Sequence, residues 1–503
     1  MSLSYKRLRV MTRDDIERTY PLIIQWVKSP SLALLTDEFA FTTSNWPSER
    51  SHELGYFHDM TARHTSDEKY WPNDVDQESH DAIVAYIHTL GLSAEGTKAM
   101  VDAFEWKRKN VSSAEAVFTA GTVAEKNRHY AVAATAVLVS LCKHITTLHL
   151  GGISCQYSGV PEWEYFIKSN YGLLPKAARG LQHLKRVEFP TPSWDTDPLC
   201  HGNDRCSRVD ILEYLRGFHR LPAIESLIMN GVEEYQSWRA LFPPATSSLT
   251  TIRLTRVNIP SETLATIIRV PRRLEEFTLT VGGLSTLDGG SAVVYPKTLG
   301  KCLLAHKDTL RVLDLDFETY STALEDEDKQ DLEELVFYDG GEEERYAQDK
   351  DIYFDMDVEA STTGGGPLFP EDLPDTRTYG RTIGSLHDFS ALRRLSISVN
   401  ALLGRCVSEV RGKELVKFWD QPPFQLIDAL PSGLEFFCLY EYRKGANAEL
   451  DEHVAEFMEK KGERLPQLRE VRGVDEGVES VREEKDLDHM YRLPKAELGW
   501  VEA

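Results

Sequence analysis

One six-residue pattern recurs along this chain and constrains its fold more than any other feature. It runs apolar, two free choices, apolar, one free choice, apolar. Copies begin at Ile145 (ITTLHL), Leu184 (LKRVEF), Ile224 (IESLIM), Leu249 (LTTIRL), Leu274 (LEEFTL), Leu310 (LRVLDL), Leu332 (LEELVF), Leu392 (LRRLSI) and Leu434 (LEFFCL), with a degenerate copy at Leu468 (LREVRG). EFAF at 38–41 reads as an earlier relic. The last three positions of each copy alternate inside and outside, the period of a strand.

The stretches between copies have helical character, as in Val209 to Gly217 and Glu262 to Arg269. Pro222, Pro271, Pro431 and Pro466 stand just before strands, where proline ends a preceding helix. Strand, crossover helix and strand give parallel pairing. A single unit cannot bury its own apolar face, so units stack. The middle apolar positions recur at irregular distances. The shortest, 22 and 25 residues, fall in the leucine-rich-repeat period. The asparagine such repeats often carry stands at Asn400, whereas Val232, Val257 and Ile153 hold the equivalent positions elsewhere. The expected fold class is therefore α/β: an irregular leucine-rich-repeat solenoid, a horseshoe with a parallel sheet on its concave face and a helical N-terminal cap.

The expected division is a mainly helical capping region at 1–144, the solenoid at 145–474 and a C-terminal cap or tail at 475–503. Helices are expected at Asp14 to Lys28, Ala82 to Leu90 and Glu125 to Cys142, with a His- and aromatic-rich loop at 45–80. An acidic insertion is expected at 318–380: Glu318 to Glu359 holds 17 acidic residues against three Lys or Arg, a composition that favours a solvated loop. LEELVF inside it is a candidate strand.

With 503 residues the chain exceeds one compact core. A net charge of −23 argues against nucleic acid or an anionic membrane as partner, since both require a basic footprint. The longest apolar run, Ala131 to Leu141, is shorter than the ~20 residues a spanning helix needs. The opening MSLSYKRLRVMTRDD turns charged too early for a signal peptide, and seven scattered cysteines suit a reducing compartment. The expected location is cytoplasmic or nuclear.

Chemistry-bearing motifs are few. Asp314 and Asp316 in LDLDF share one face of a strand, about 7 Å apart, a separation that would suit an inverting glycosidase pair. No substrate pocket can be argued around them, so a hydrolase ranks third among the readings. His52, His58, His64 and His80, with Glu53 and Asp59, lack the H-E-x-x-H spacing of a helical zinc site and read as loop histidines. CHGNDRC at 200–206 offers too few ligands to close a metal site. No nucleophile elbow, phosphate loop or dinucleotide fingerprint is present. No enzyme activity, cofactor or metal is expected.

The residues flanking the last two apolar positions of each copy are instead the candidate binding residues. They are His149, Arg186, Glu188, Arg253, Thr255, Glu276, Thr278, Asp314, Asp316, Arg394, Ser396 and Tyr440. Each strand offers such positions to one surface, suited to a protein partner.

RHYAVAATAVLVSLCKHITTLHLGG (128–152), LTTIRLTRVNIPSETLATIIRVPRRLEEFTLTVGG (249–283), TLRVLDLDF (309–317), IGSLHDFSALRRLSIS (383–398) and LIDALPSGLEFFCLY (426–440) together resemble filamentous-fungal leucine-rich-repeat proteins of the F-box kind. That resemblance implies a substrate-recognition subunit of a cullin–RING ubiquitin ligase. Such a subunit docks on the ligase's small adaptor through an N-terminal helical F-box opening with Leu-Pro. Here the Leu-Pro pairs begin at 174, 221, 373, 430, 465 and 493, and no F-box segment is recognisable. A ubiquitin-independent scaffold or regulatory repeat protein is the alternative.

Overall fold

The structure, a computed structural model, describes residues 4–11, 13–41, 76–108, 120–151, 161–189, 209–233, 242–259, 261–281, 294, 296–316, 382–403, 424–478 and 500–503. The chain is mixed α/β and divides into two compact units. The first comprises residues 1–209, 213–229 and 487–503, the second 210–212 and 230–486.

In the first unit, β1 (Tyr5–Val10), β2 (Glu38–Phe41), β3 (Thr147–Leu150), β4 (Arg186–Phe189) and the start of β6 (Ser226–Glu233) pair in parallel. A two-residue strand, β5 (Val209–Asp210), precedes β6. In the second unit, β7 (Thr251–Asn258), β8 (Glu276–Val281), β9 (Val312–Asp316), β10 (Arg394–Ser398), β11 (Phe436–Tyr440) and β12 (Glu470–Arg472) do the same.

The register explains the repeat. The middle apolar residues are direct cross-strand partners: Leu8, Phe39, Leu148, Val187 and Leu227 in the first unit, and Ile252, Phe277, Leu313, Leu395, Phe437 and Val471 in the second. All but the terminal Val471 are buried. Each fully buried side chain of this kind stabilises the fold by about 1.5–3 kcal/mol. A one-residue slip would turn the whole ladder outward, so the register is strongly specified.

The two free choices at the start of each copy follow from the backbone. The carbonyl of the second residue accepts two successive N–H groups of the next copy. Thr146 O takes Lys185 and Arg186, Thr250 O takes Glu275 and Glu276, and Glu275 O takes Arg311 and Val312. The series continues with Arg311 O on Arg393 and Arg394, Arg393 O on Glu435 and Phe436, and Glu435 O on Arg469 and Glu470. Main-chain groups do the joining, so the side chains at these positions are free to vary.

Helices fill the connections. Ser261–Arg269 buries Leu264, Ala265, Ile267 and Ile268 and stops before Pro271. Ala448–Arg464 starts at Asn447, whose side chain accepts from Glu449 N (2.9 Å) and Leu450 N (3.0 Å), with acidic residues in its first turn and basic ones in its last. In Ala120–Leu141, every residue from Tyr130 onward is buried, which accounts for its continuous apolar run. Tyr130 packs on Phe104 (5.3 Å) and Tyr20 (5.9 Å) and shares a hydrogen bond with Thr19. No helix among the described residues is long and apolar enough to cross a membrane.

The structure departs from the sequence reading at several points. β1 was not anticipated: its charged outward positions mask the Leu8 and Val10 alternation. At the other end β13 (Val501–Glu502) pairs antiparallel with β1, and Trp500 packs edge-on to Tyr5 (4.9 Å) while donating to Asp15 (2.8 Å). His80 is not a loop residue. It is buried in the helix Gln77–His88, its ring nitrogens held by the Tyr20 hydroxyl and the Glu105 carboxylate, both at 2.9 Å. Asp76, which accepts from Ser79 N, starts that helix inside the stretch read as loop. β9 pairs directly with β10. The copy at Leu332, the acidic insertion, CHGNDRC, and His52, His58 and His64 lie outside the described residues.

Candidate functional site

Third and fifth positions of each copy stand on the face opposite the buried ladder, because side chains alternate along a strand. In the first unit this face is a continuous line of bonded basic, acidic and imidazole side chains. Arg7 on β1 bonds Glu38 on β2 (2.6 Å), and Glu38 meets His149 Nε2 on β3 (2.8 Å). His149 Nδ1 faces Glu188 on β4 (3.5 Å), which in turn pairs with Arg186 (3.0 Å). The imidazole side chain is only 13% exposed, whereas Arg186 is 47% exposed. Three predicted residues, His149, Arg186 and Glu188, are thus brought together. Arg7 and Glu38 were missed because their strands carry no full copy of the pattern.

The second unit disposes of its polar groups differently. Arg253 on β7 pairs with Glu276 on β8 (Nε to Oε1, 2.5 Å). Thr278, Asp314 and Ser396 follow as successive partners in one row across β8, β9 and β10. Tyr440 on β11 reaches back and donates its hydroxyl to Asp314 Oδ1 at 2.9 Å. Burial raises the Asp314 carboxyl pKa. The Tyr440 hydrogen bond opposes that rise and the nearby Asp316 adds to it. Tyr440 is itself pushed up by burial and by Asp314. Cys438, a buried thiol in the same row, is pushed up to about 11, by burial first and Asp314 second.

Two predicted positions are not presented as the alternation alone suggests. Asp316 is 1% exposed and shares its row with the buried Thr280, to which it is paired in register. Beside Thr255 the β7–β8 register shifts between Leu254 and Val257, where Arg256 takes the left-handed conformation (φ 51°). A bulge of this kind re-aims side chains, and Thr255 Oγ1 and Arg256 both bond Asn230 Oδ1 at 3.1 Å.

Arg394 is exposed on β10 with its guanidinium 4.5 Å over the Phe436 ring, and Arg472 approaches the same ring at 5.7 Å. Phe436, Cys438, Glu470 and Arg472 were not among the predicted residues, although they occupy the same third and fifth positions. Counting positions in LEFFCL and LREVRG would have found them.

Among the described residues no group of three or more His, Cys, Asp or Glu side chains is placed to hold a metal ion. Asp314 and Asp316 share a face of β9, but one is engaged by a tyrosine and the other is buried. No protein-family model, curated protein or solved structure matches this chain.

Proposed function

We propose that this chain is a non-enzymatic binding protein, an irregular leucine-rich-repeat solenoid that takes a protein partner on its strand face. The observation that carries this reading is the in-register ladder: one apolar residue per copy is fixed inward, leaving the third and fifth positions side by side on the opposite face. Those positions hold Arg, Glu, Asp, Thr, Ser, Cys, Val and Phe in no repeating order, as a surface shaped for one partner requires. Given the resemblance to F-box repeat proteins, the partner is a substrate presented for ubiquitination in the cytoplasm or nucleus. A ubiquitin-independent scaffold would use the same face without the ligase adaptor. Nucleic acid and membranes are not proposed as partners, because the chain carries −23 charges. A hydrolase centred on Asp314 and Asp316 is not favoured, because Asp316 is buried.

The test is capture of the tagged full chain from its native cells, compared with a variant in which Arg186, Arg253, Asp314 and Arg394 are all alanine. A partner present with the parent and absent with the variant supports the binding role. Co-capture of the adaptor and cullin assigns the ligase function, and their absence assigns the scaffold. A partner set that does not change between the two chains rejects the strand face.

A further inference from the structure

We infer that the β9–β12 end of the second unit's face is a carboxylate-reading subsite for an acidic, apolar-flanked segment of the partner protein. This deepens the reading above and rests on it. The first observation is local charge. At the outward third and fifth positions of these four copies, Arg394 and Arg472 stand with Asp314 and Glu470. At the same positions of β7 and β8, Arg253 stands with Glu276 and the two pair with each other. Glu470 is taken by Arg472 and Asp314 by Tyr440, so the outward charge left over on these strands is cationic, in a chain of net charge −23.

The second observation is which cation is left over. Arg472 is held by Glu470 (2.5 Å), Arg253 by Glu276 (2.5 Å), and Asp314 by Tyr440. Arg394 has no carboxylate partner among the described residues. The Phe436 ring steadies its guanidinium without supplying an oxygen acceptor, so the planar fork of N–H donors is left for a carboxylate.

The third observation is what flanks it. In register, Arg394 stands between Val312 on β9 and Phe436 on β11, both half-buried. A strip of apolar, cation, apolar has the composition of an interface anchor, where arginine and aromatic side chains dominate the binding energy. Its complement is an Asp or Glu side chain set between apolar side chains on an extended segment.

The test uses the full-length chain and fluorescent peptides in which Glu is set among Leu, Val and Phe. Matched series replace Glu by Gln or by phosphoserine, and binding is read by anisotropy. The Glu series should bind saturably and weaken as salt rises. The Gln series and Arg394→Ala should each bind at least about tenfold more weakly. Arg394→Lys should recover only part of the loss, because it keeps the charge and loses the fork. Arg464→Ala removes an exposed arginine held by Asp428 off this face and should change nothing. Equal binding of Glu and Gln peptides, no binding of either, or an Arg394→Ala chain that binds like the parent overturns the assignment. Phosphoserine peptides binding far more tightly than Glu peptides would also overturn it, in favour of a phosphate reader. If native-cell capture still yields a partner that the fourfold variant loses while Arg394→Ala alone keeps it, the strand-face function stands and only this subsite fails.

Discussion

The two units carry charged faces built on the same kind of ladder: the first bonds its polar groups in an unbroken line, while the second pairs some charges and leaves one arginine without a carboxylate among the described residues. In the first, Arg7, Glu38, His149, Glu188 and Arg186 hand one bond to the next across β1 to β4. In the second, the row across β8 to β10 is Thr278, Asp314 and Ser396, and beside it an arginine rests on a ring with no carboxylate beneath it. A charge already paired inside the sheet has little left to give, since a partner must first break that pair and then desolvate both halves. The first face is therefore suited to holding its strands together, and the second to recognition. The ladder beneath, the titrating groups around it and the charges above it test that division in turn.

Cutting the ladder should have the largest effect. Phe277→Ala in β8 and Phe39→Ala in β2 each remove a ring from a fully buried position and should each cost about 3–5 kcal/mol. Hydrogen exchange followed separately on β2–β4 and β8–β10 is the measurement. Loss confined to the unit that carries the substitution keeps the comparison intact. Equal loss in both would make the chain one cooperative whole, and the contrast between faces would lose its basis.

Acid should come next. Burial holds the His219 pKa down at about 3 in the first unit and also lowers His306 in the second. His306 is neutral by construction: Nε2 donates to Ile268 O (2.8 Å) and Nδ1 accepts from Leu274 N (3.3 Å). In the unfolded chain both titrate near 6.5, so below that pH the unfolded state binds the proton first. Their contribution is complete above about pH 6.5. For His219 it is lost as pH falls towards 3, at a slope of up to about 1.4 kcal/mol per pH unit. Denaturant unfolding from pH 7 to pH 5 should show this slope, and His219→Phe should flatten it for the first unit only. A slope unchanged in that variant would show that other groups carry the acid sensitivity.

The sequence disclosed the part of the fold that repeats. Wherever a full copy stood, from Ile145 to Leu434 within the described residues, the structure has a strand with the middle apolar residue buried. β1 and β13 were hidden because one alternates Leu and Val with Lys and Arg and the other has two residues. Neither leaves a pattern above the background of a chain that is 41% apolar. The candidate face was legible in position but not in state. Alternation put Asp314 and Asp316 on one side of β9, yet nothing local shows that Tyr440, 126 residues on, engages the first. Nor does it show that the row containing Asp316 and Thr280 is buried. Arg394 was legible as a residue, while its lack of a carboxylate depends on what β9 and β11 place beside it.

Tyr440→Phe sharpens the comparison at the second face. It removes the hydroxyl that opposes the burial-driven rise at Asp314, so the carboxyl should titrate higher still, as read by carbon-13 NMR of the side chain. The lost hydrogen bond to a carboxylate should destabilise the unit by about 1–3 kcal/mol. An unchanged titration would mean that the tyrosine does not oppose the rise at Asp314.

The smallest effects belong to the first face, and their ordering is informative. Glu38→Gln weakens bonds to both Arg7 and His149, whose side chains are 23% and 13% exposed. Glu225→Gln weakens the bond to Lys185, in a pair whose members are 54% and 55% exposed. Solvent screening reduces exposed pairs to between zero and about 1 kcal/mol. Glu38→Gln should therefore cost about 1 kcal/mol and Glu225→Gln no more than a few tenths, both by denaturant unfolding at low salt. Neither should alter partner capture if the first face serves the sheet alone. If Glu38→Gln is neutral for stability but abolishes capture, those charges face a partner after all, and the division of labour between the two faces reverses.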